Sequence, residues 1–331
     1  MRQQNCAKCG VYYRGCKLNS KVFSIVVAAG VSCASLNAAP PVIKVTDDWK
    51  SKIEKIAPAE PTVKPKAKRR VLVCSLATGY KHWVIPNTLA MLEILGKKSG
   101  AFEVVNTKDI MMFAPDKIKK FDAVVLNNTC SKRDHRNLFL DVLGKENKDK
   151  VDMLEKSLLD YVKNGGGLVA IHGGGVTFNG CPEITDMMGG AFDFHLPQQE
   201  MVIKPVDADH PITKAFGGRD FVHVDEPYMF KGAYANKDFH PLLVVDTSKL
   251  KCGNKRNKIL SDVRYASWIK RYGKGRMFFV SPSHNAQSFS DPRLLKFYLN
   301  GIQYALGDLE CDDTPLKKED VKKIGEKKAA H

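Results

Sequence analysis

The stretch VDMLEKSLLDYVKNGGGLVAIHGGG, residues 151–175, decides the fold. Val151, Leu154, Leu158 and Val162 recur at helical spacing, and Asn164-Gly165 supplies a helix stop. Gly167-Leu-Val-Ala-Ile171 comes next as a short, continuously apolar run, the pattern of a strand covered on both faces. The same alternation extends towards the N-terminus. Strands are predicted at 70–75, 102–105 and 122–126, with a helix over 85–98 through Ile85, Leu89, Leu92 and Leu95. Residues 131–150 read as a polar insertion. Towards the C-terminus strands are predicted at 200–206, 241–246, 263–269 and 275–280, and helices at 183–189 and 292–306. This β-α-β order implies an α/β domain over 69–308, a parallel sheet with helices on both faces.

Outside that domain the chain changes character. Its 331 residues carry 52 Lys+Arg against 36 Asp+Glu, a formal net charge of +16. Five of the excess charges are Arg2, Lys8, Arg14, Lys17 and Lys21, and another five fall in 35–70. Most of the excess therefore lies outside the folded region, where it makes no basic face, and no nucleic-acid partner is expected. Val22–Ala34 is an apolar run of 13 residues with small residues at its end. That is too short to span a membrane and fits a secretory signal at 1–34, so a periplasmic or secreted location is expected. A lipid anchor at Cys33 is the alternative to cleavage. Residues 35–68 read as a Pro- and Lys-rich linker with a short helix near 45–56. Residues 309–331 read as a charged, frayed tail. Beyond the leader five Cys remain, an odd number without a framework spacing; a Cys181–Cys252 bridge is the one pairing considered, and Cys74 is expected to be buried.

Ligands in open parallel sheets sit beyond the carboxyl ends of the strands. The first strand leads into Thr78-Gly-Tyr-Lys-His82-Trp83, the fourth ends at His172-Gly-Gly-Gly175, and the strand at 275–280 ends at Ser281-Pro-Ser-His284. Three histidines from distant segments are thus expected at one edge. Neither Gly165–Gly167 nor Gly173–Gly175 forms the G-x-G-x-x-G pattern of a dinucleotide site. His210, in Asp209-His-Pro-Ile212, reads as part of a turn. Arg264 and Arg276 are substrate contacts or, more simply, surface residues. Tyr80, Trp83, Phe178 and Tyr228 are candidate substrate-binding aromatics, and Phe194 lies near the same edge; the competing reading for each is core packing.

These stretches, together with Phe121-Asp-Ala-Val-Val, Met188-Gly-Gly-Ala-Phe192, Asp225-Glu226-x-Tyr228 and Ser288-Phe-Ser-Asp-Pro292, resemble the ThuA-like (trehalose utilisation) family over about residues 69–308. The resemblance implies the flavodoxin-like, class I glutamine amidotransferase-like fold and a small carbohydrate or keto-sugar substrate. In amidotransferases of that superfamily a nucleophilic Cys occupies the sharp turn after a central strand. Here the matching turn carries His172, which argues against glutamine hydrolysis through a thioester.

Imidazoles suit proton transfer near neutral pH and are also common metal ligands. His82, His172, His284 and Glu226, with His195 in addition, form the candidate set for a divalent metal, zinc being the first choice for a His-rich site. The metal-free alternative is acid/base chemistry by His172 and His284 with Glu226 orienting one of them. The expected activity is hydrolysis, elimination or isomerisation by a hydrolase- or lyase-type enzyme. The other classes are a non-catalytic carbohydrate-binding module on the same scaffold and a cytoplasmic partner protein; the leader argues against the second.

Overall fold

Strand residues whose side chains alternate between two apolar environments build the sheet. The structure, a computed structural model, describes residues 39–317 and residue 320, all within a unit that begins at Asn37. Its strands are β1 (Arg70–Cys74), β2 (Glu103–Thr107), β3 (Ala123–Asn127), β4 (Gly167–Ile171), β5 (Ala191–His195), β6 (Gln199–Pro205), β7 (Phe221–Asp225), β8 (Tyr228–Lys231), β9 (His240–Val245), β10 (Tyr265–Tyr272) and β11 (Gly275–Val280). Its α-helices are α1 (Asp47–Ile56), α2 (Ile85–Ser99), α3 (Pro115–Ile118), α4 (Leu138–Leu143), α5 (Lys148–Lys163), α6 (Pro182–Met187), α7 (Arg256–Leu260) and α8 (Pro292–Ala305).

Nine strands form one sheet in the order β2-β1-β3-β4-β11-β10-β9-β6-β7. The first five run parallel, as expected, whereas β10, β9, β6 and β7 each pair antiparallel to their neighbours. The sheet is therefore mixed, because β11 succeeds β10 through a tight turn at Gly273 instead of a helical crossover. Val71, Val73, Val125 and Val169 point to one face, under Trp49 and Ile53 of α1, Met91 and Leu95 of α2, and Leu295 and Leu299 of α8. Leu72, Val124, Leu126 and Leu168 point to the other, under Ile118 of α3, Phe139 of α4, Leu154 and Leu158 of α5, and Ile184 of α6. The stop after α5 is where it was expected. Gly165 adopts φ +121°, a value L side chains rarely take, and the amides of Gly165 and Gly166 bond back to the carbonyls of Val162 and Tyr161 at 3.0 Å.

Several expectations at the margins are corrected. Residues 39–68 are not a free linker. The helix expected there exists, with Thr46 accepting from the Trp49 amide at 3.1 Å, and Trp49 and Ile53 are buried in the core. The strap after it is tied to α8: Gln303 accepts from the Thr62 amide and donates to the Val63 carbonyl, each at 2.7 Å. Arg69 bridges buried Asp308 at 2.6 Å and Asp122 at 3.0 Å. The start of the tail is anchored too, since Leu309 is buried and Asp313 pairs with Arg271 and Tyr304. The insertion 131–150 contains α4, whose Leu138 and Phe139 are buried, and β5, β7 and β8 were not among the expected strands. Cys181 and Cys252 are free and buried, as is Cys74. The proposed signal sequence and Cys33 lie outside the described residues.

Integral packing of α1 has a measurable consequence. Ile53→Ala should cost about 2–5 kcal/mol through the cavity it leaves, read as a lowered urea midpoint. A midpoint equal to that of the parent chain would restore the linker reading.

Candidate active site

Strand register brings the site together. In the parallel pairs Asn127 lies opposite Ile171, and Ile171 opposite Val280. The residues next after these three positions are therefore neighbours, and Nδ1 of His172 bonds the Ser281 carbonyl at 3.0 Å. His172 has φ +45°, an uncommon value for a residue with a side chain, which turns it sharply off the strand. The loop after β1 is pinned to the loop after β3 by amides of Thr78 and Gly79 on the Cys130 carbonyl, at 3.1 and 2.9 Å, and by a bridge between Lys81 and Thr129. That delivers His82 over the turn. A Cβ on Gly173 would lie 2.8 Å from His82 Cε1 and 2.9 Å from Cys130 Sγ, so only glycine permits this approach.

Glu226 comes from the far side of the sheet. The β6–β7 hairpin pairs with β9 through Ile203–Pro205, and its other end turns back over the strand ends. Asp225 docks it there: one carboxylate oxygen accepts from the amides of Ser283 and His284, at 3.1 and 3.2 Å, and the other from the Glu226 amide at 2.7 Å.

The result is a tight cluster. His172 Nε2 lies 3.1 Å from His284 Nδ1, and Glu226 Oε2 lies 3.2 Å from the second and 3.5 Å from the first. The His82 ring centroid is 4.9 Å from that of His172 and 5.1 Å from that of His284. One ligand atom from each of the four residues lies within 4.8 Å of all the others. Outer contacts hold the rings: Asp225 approaches His172 Nδ1 at 3.7 Å, and the Gln198 amide lies 2.8 Å from His284 Nε2.

Burial and mutual charge set the ionisation. Burial pushes the His82 pKa well down, and the neighbouring His172 and His284 reinforce this, so His82 is neutral at pH 7. For Glu226 burial works upwards, but hydrogen bonds and charge from His172 and His284 hold the carboxyl well below the usual range. For His284 burial works downwards, and the bond to Glu226, with the charges of Glu226 and Asp225, leaves the pKa raised. The Cys130 thiol, 3.9 Å from His82 Nδ1, is pushed up to about 12 by burial.

Beside the cluster opens a cavity of about 920 Å³. Tyr80, Phe194, His195 and Tyr228 line it; Tyr80 is largely exposed, and Tyr228 packs on His172 with centroids 4.2 Å apart. Not every expected residue reaches it. His195 stands outside the four-donor group: its Nδ1 bonds the Leu196 carbonyl at 2.9 Å and lies 3.7 Å from Glu226. Phe178 is fully buried against Phe139, and Trp83 packs against the core, so neither lines the cavity, because their segments turn inward under the sheet's helical cover. Arg264 is buried on the carbonyls of Ile259 and Lys258, Arg276 pairs with Glu310, and His210 holds the Asp312 carbonyl at 2.9 Å as a turn residue. The sequence reading did not assign roles to Asp225, Gln198 or Cys130. Asp225 had a signal, its place beside Glu226; the other two are meaningful only through neighbours distant in sequence.

Comparison with known proteins agrees with this geometry at the level of fold. No curated protein matches the sequence. The fold is similar to that of a ThuA-like protein from Bacteroides uniformis, with TM-score 0.55 and 19% identity over 73% of this chain and 93% of that one. It is also similar to a ThuA-like protein from Parabacteroides merdae, with TM-score 0.51 and 19% identity over 76% and 96%. The profile described as trehalose utilisation matches residues 70–305, from the first residue of β1 to the last of α8. The chain belongs to the ThuA family.

Proposed function

We propose that this protein acts on a carbohydrate or keto-sugar derivative, by hydrolysis, elimination or isomerisation, at a divalent-metal centre formed by His82, His172, Glu226 and His284. The convergence of these four donors carries the reading. A tetrahedral zinc with bonds of about 2.0–2.1 Å has ligand atoms about 3.3 Å apart. Separations of 3.1, 3.2 and 3.5 Å among His172 Nε2, His284 Nδ1 and Glu226 Oε2 fit such a centre. A carbohydrate-binding module would need the aromatic wall without these donors.

A bound cation would polarise a sugar oxygen or lower the pKa of a water. The chain supplies the rest. The Ser281 carbonyl accepts a hydrogen bond from His172 Nδ1–H, which leaves the Nε2 lone pair to face the centre. Tyr80, beside His82 and His284, offers an exposed ring to the apolar face of a sugar. His195 donates from Nδ1 to the Leu196 carbonyl, which leaves the lone pair on Nε2 to take a proton from the substrate. The high pKa of the Cys130 thiol, like the histidine at the turn, speaks against glutamine hydrolysis. We propose export as well, on the leader at 1–34; a mature N-terminus between Ser35 and Pro41 would leave every element from α1 onward intact.

Metal analysis of the purified chain should find about one divalent ion per molecule. Glu226→Ala should abolish stoichiometric binding and turnover of keto-glycosides while circular dichroism stays unchanged. A parent chain that binds no metal at micromolar zinc would refute the centre.

Outer contacts should matter by a smaller factor. Asp225→Asn should weaken zinc binding about 10- to 100-fold, measured by competition with a chelator.

Protons should compete with the cation at His284. Its pKa is raised, so affinity should be full well above pH 6.5, begin to fall before that value is reached, and continue falling as the pH drops further. Affinity independent of pH between 5 and 8 would exclude His284 as a ligand.

A further inference from the structure

The cavity beside the cluster is not electrically balanced. Its wall includes Lys132, Arg133 and Arg136, from the loop between β3 and α4. None of these three side chains is in an ion pair among the described residues; the Arg136 guanidinium donates to the Ser131 carbonyl, at 3.3 Å. Asp134 belongs to the same loop but does not line the cavity. The two carboxylates that do line it are already engaged. Glu226 is held by His172 and His284, and Asp193 by Lys258 at 2.7 Å and Lys231 at 3.9 Å. Lys255 and Lys258, which do not line the cavity, lie over the ring of its lining residue Phe194, 4.2 and 4.7 Å from the centroid.

Three like charges within five residues repel one another, and the nearby carboxylates Asp134 and Asp141 pair with none of their side chains among the described residues; Asp141 accepts the Lys132 backbone amide at 2.7 Å and the Thr78 hydroxyl. Arg136 is half-buried in the cavity wall, while Lys132 and Arg133 are exposed. A neutral sugar can accept hydrogen bonds from such a wall but gives its three charges nothing to neutralise. A guanidinium and its neighbours recognise a carboxylate, phosphate or sulfate through short, charge-assisted hydrogen bonds.

We infer that the substrate is an anionic carbohydrate whose acidic group is held by Lys132, Arg133 and Arg136 while its reacting end faces the His82–His172–Glu226–His284 centre. The inference rests on the sugar reading of this site and narrows it to a substrate class. Lys132, Arg133 and Arg136 are binding residues in this arrangement and take no part in proton transfer.

Ligand-detected NMR titration of the full chain tests it, with D-glucose, D-glucuronate, D-glucose 6-phosphate, D-glucose 6-sulfate and inorganic phosphate as probes. At low salt at least one anionic sugar should bind about tenfold or more tightly than glucose. The preference should vanish at about 1 M salt, where the screening length is about 3 Å. It should also vanish in the triple variant Lys132→Gln, Arg133→Gln, Arg136→Gln, and persist in Lys119→Gln, Lys120→Gln, which removes exposed charge at the opposite edge of the sheet before β3. Whichever anionic sugar binds tightest separates carboxylate from phosphate or sulfate recognition. Equal affinity for glucose and the anionic sugars, or no binding of any sugar, would overturn the inference. Inorganic phosphate binding as tightly as glucose 6-phosphate would overturn it differently, leaving an anion site but no sugar. Zinc content, measured on the same samples, reports on the metal centre separately: loss of metal with the anionic preference intact would sink the centre and leave this inference standing.

Discussion

Parallel pairing of β4 with β3 on one side and β11 on the other is the constraint on which the site depends. The three strands stop in one row, so the loops leaving them meet one another. All five residues of β4 are buried, and each must keep its backbone hydrogen bonds in a region water cannot reach. A slip of one residue would send Val169 and Ile171 to the opposite face and aim His172 into the core. The hydrogen bond from His172 to Ser281 exists only in the observed register. The precision of the cluster therefore comes from the sheet, and the loops inherit it.

The cluster itself sets charge against burial. An ionised Glu226 beneath the surface would be unfavourable alone, and its two histidine neighbours reverse that balance. Asp225 performs a different task. Its carboxylate accepts two amides of the Ser283–His284 turn, so it joins the antiparallel hairpin to the parallel strand ends. Without that docking Glu226 would have no reason to lie over the histidines. The uncommon backbone angle at His172 has the same origin: buried neighbours on every side hold a conformation that an isolated chain would avoid.

By the chain's resemblance to class I glutamine amidotransferases, the turn after β4 matches the position at which those enzymes carry their nucleophile. Here it holds an imidazole, and a thiol from the adjacent strand end, Cys130, lies beside it. Chemical character depends on environment more than on proximity. Cys130 is buried and remains a thiol, while His82 is buried and remains a neutral base available as a donor. The same burial that silences one group prepares the other.

Much of this was legible in the chain. Apolar runs of five residues, a helical period in Val151–Val162 and glycine stops determined the parallel half, because local periodicity and hydrogen-bonding geometry suffice where strands are buried on both faces. Histidines at or within a few residues of strand ends marked the edge, since such strands deliver their ends to one side. The antiparallel half was harder: Phe221–Asp225 alternates, but it buries polar His223 and Asp225 and exposes Val222, the reverse of an ordinary half-buried strand, and Tyr228–Lys231 is too short to distinguish from a loop. Trp83 and Phe178 looked like pocket aromatics because sequence reports that a ring is near an edge and is silent on which way it points. Gln198 beside His284, the unpaired wall at Lys132, Arg133 and Arg136, and the packing of α1 into a supposed linker were decided by tertiary structure alone. Each depends on contacts between segments tens to hundreds of residues apart, and a contact of that kind leaves no periodic trace in the local sequence from which it could be read.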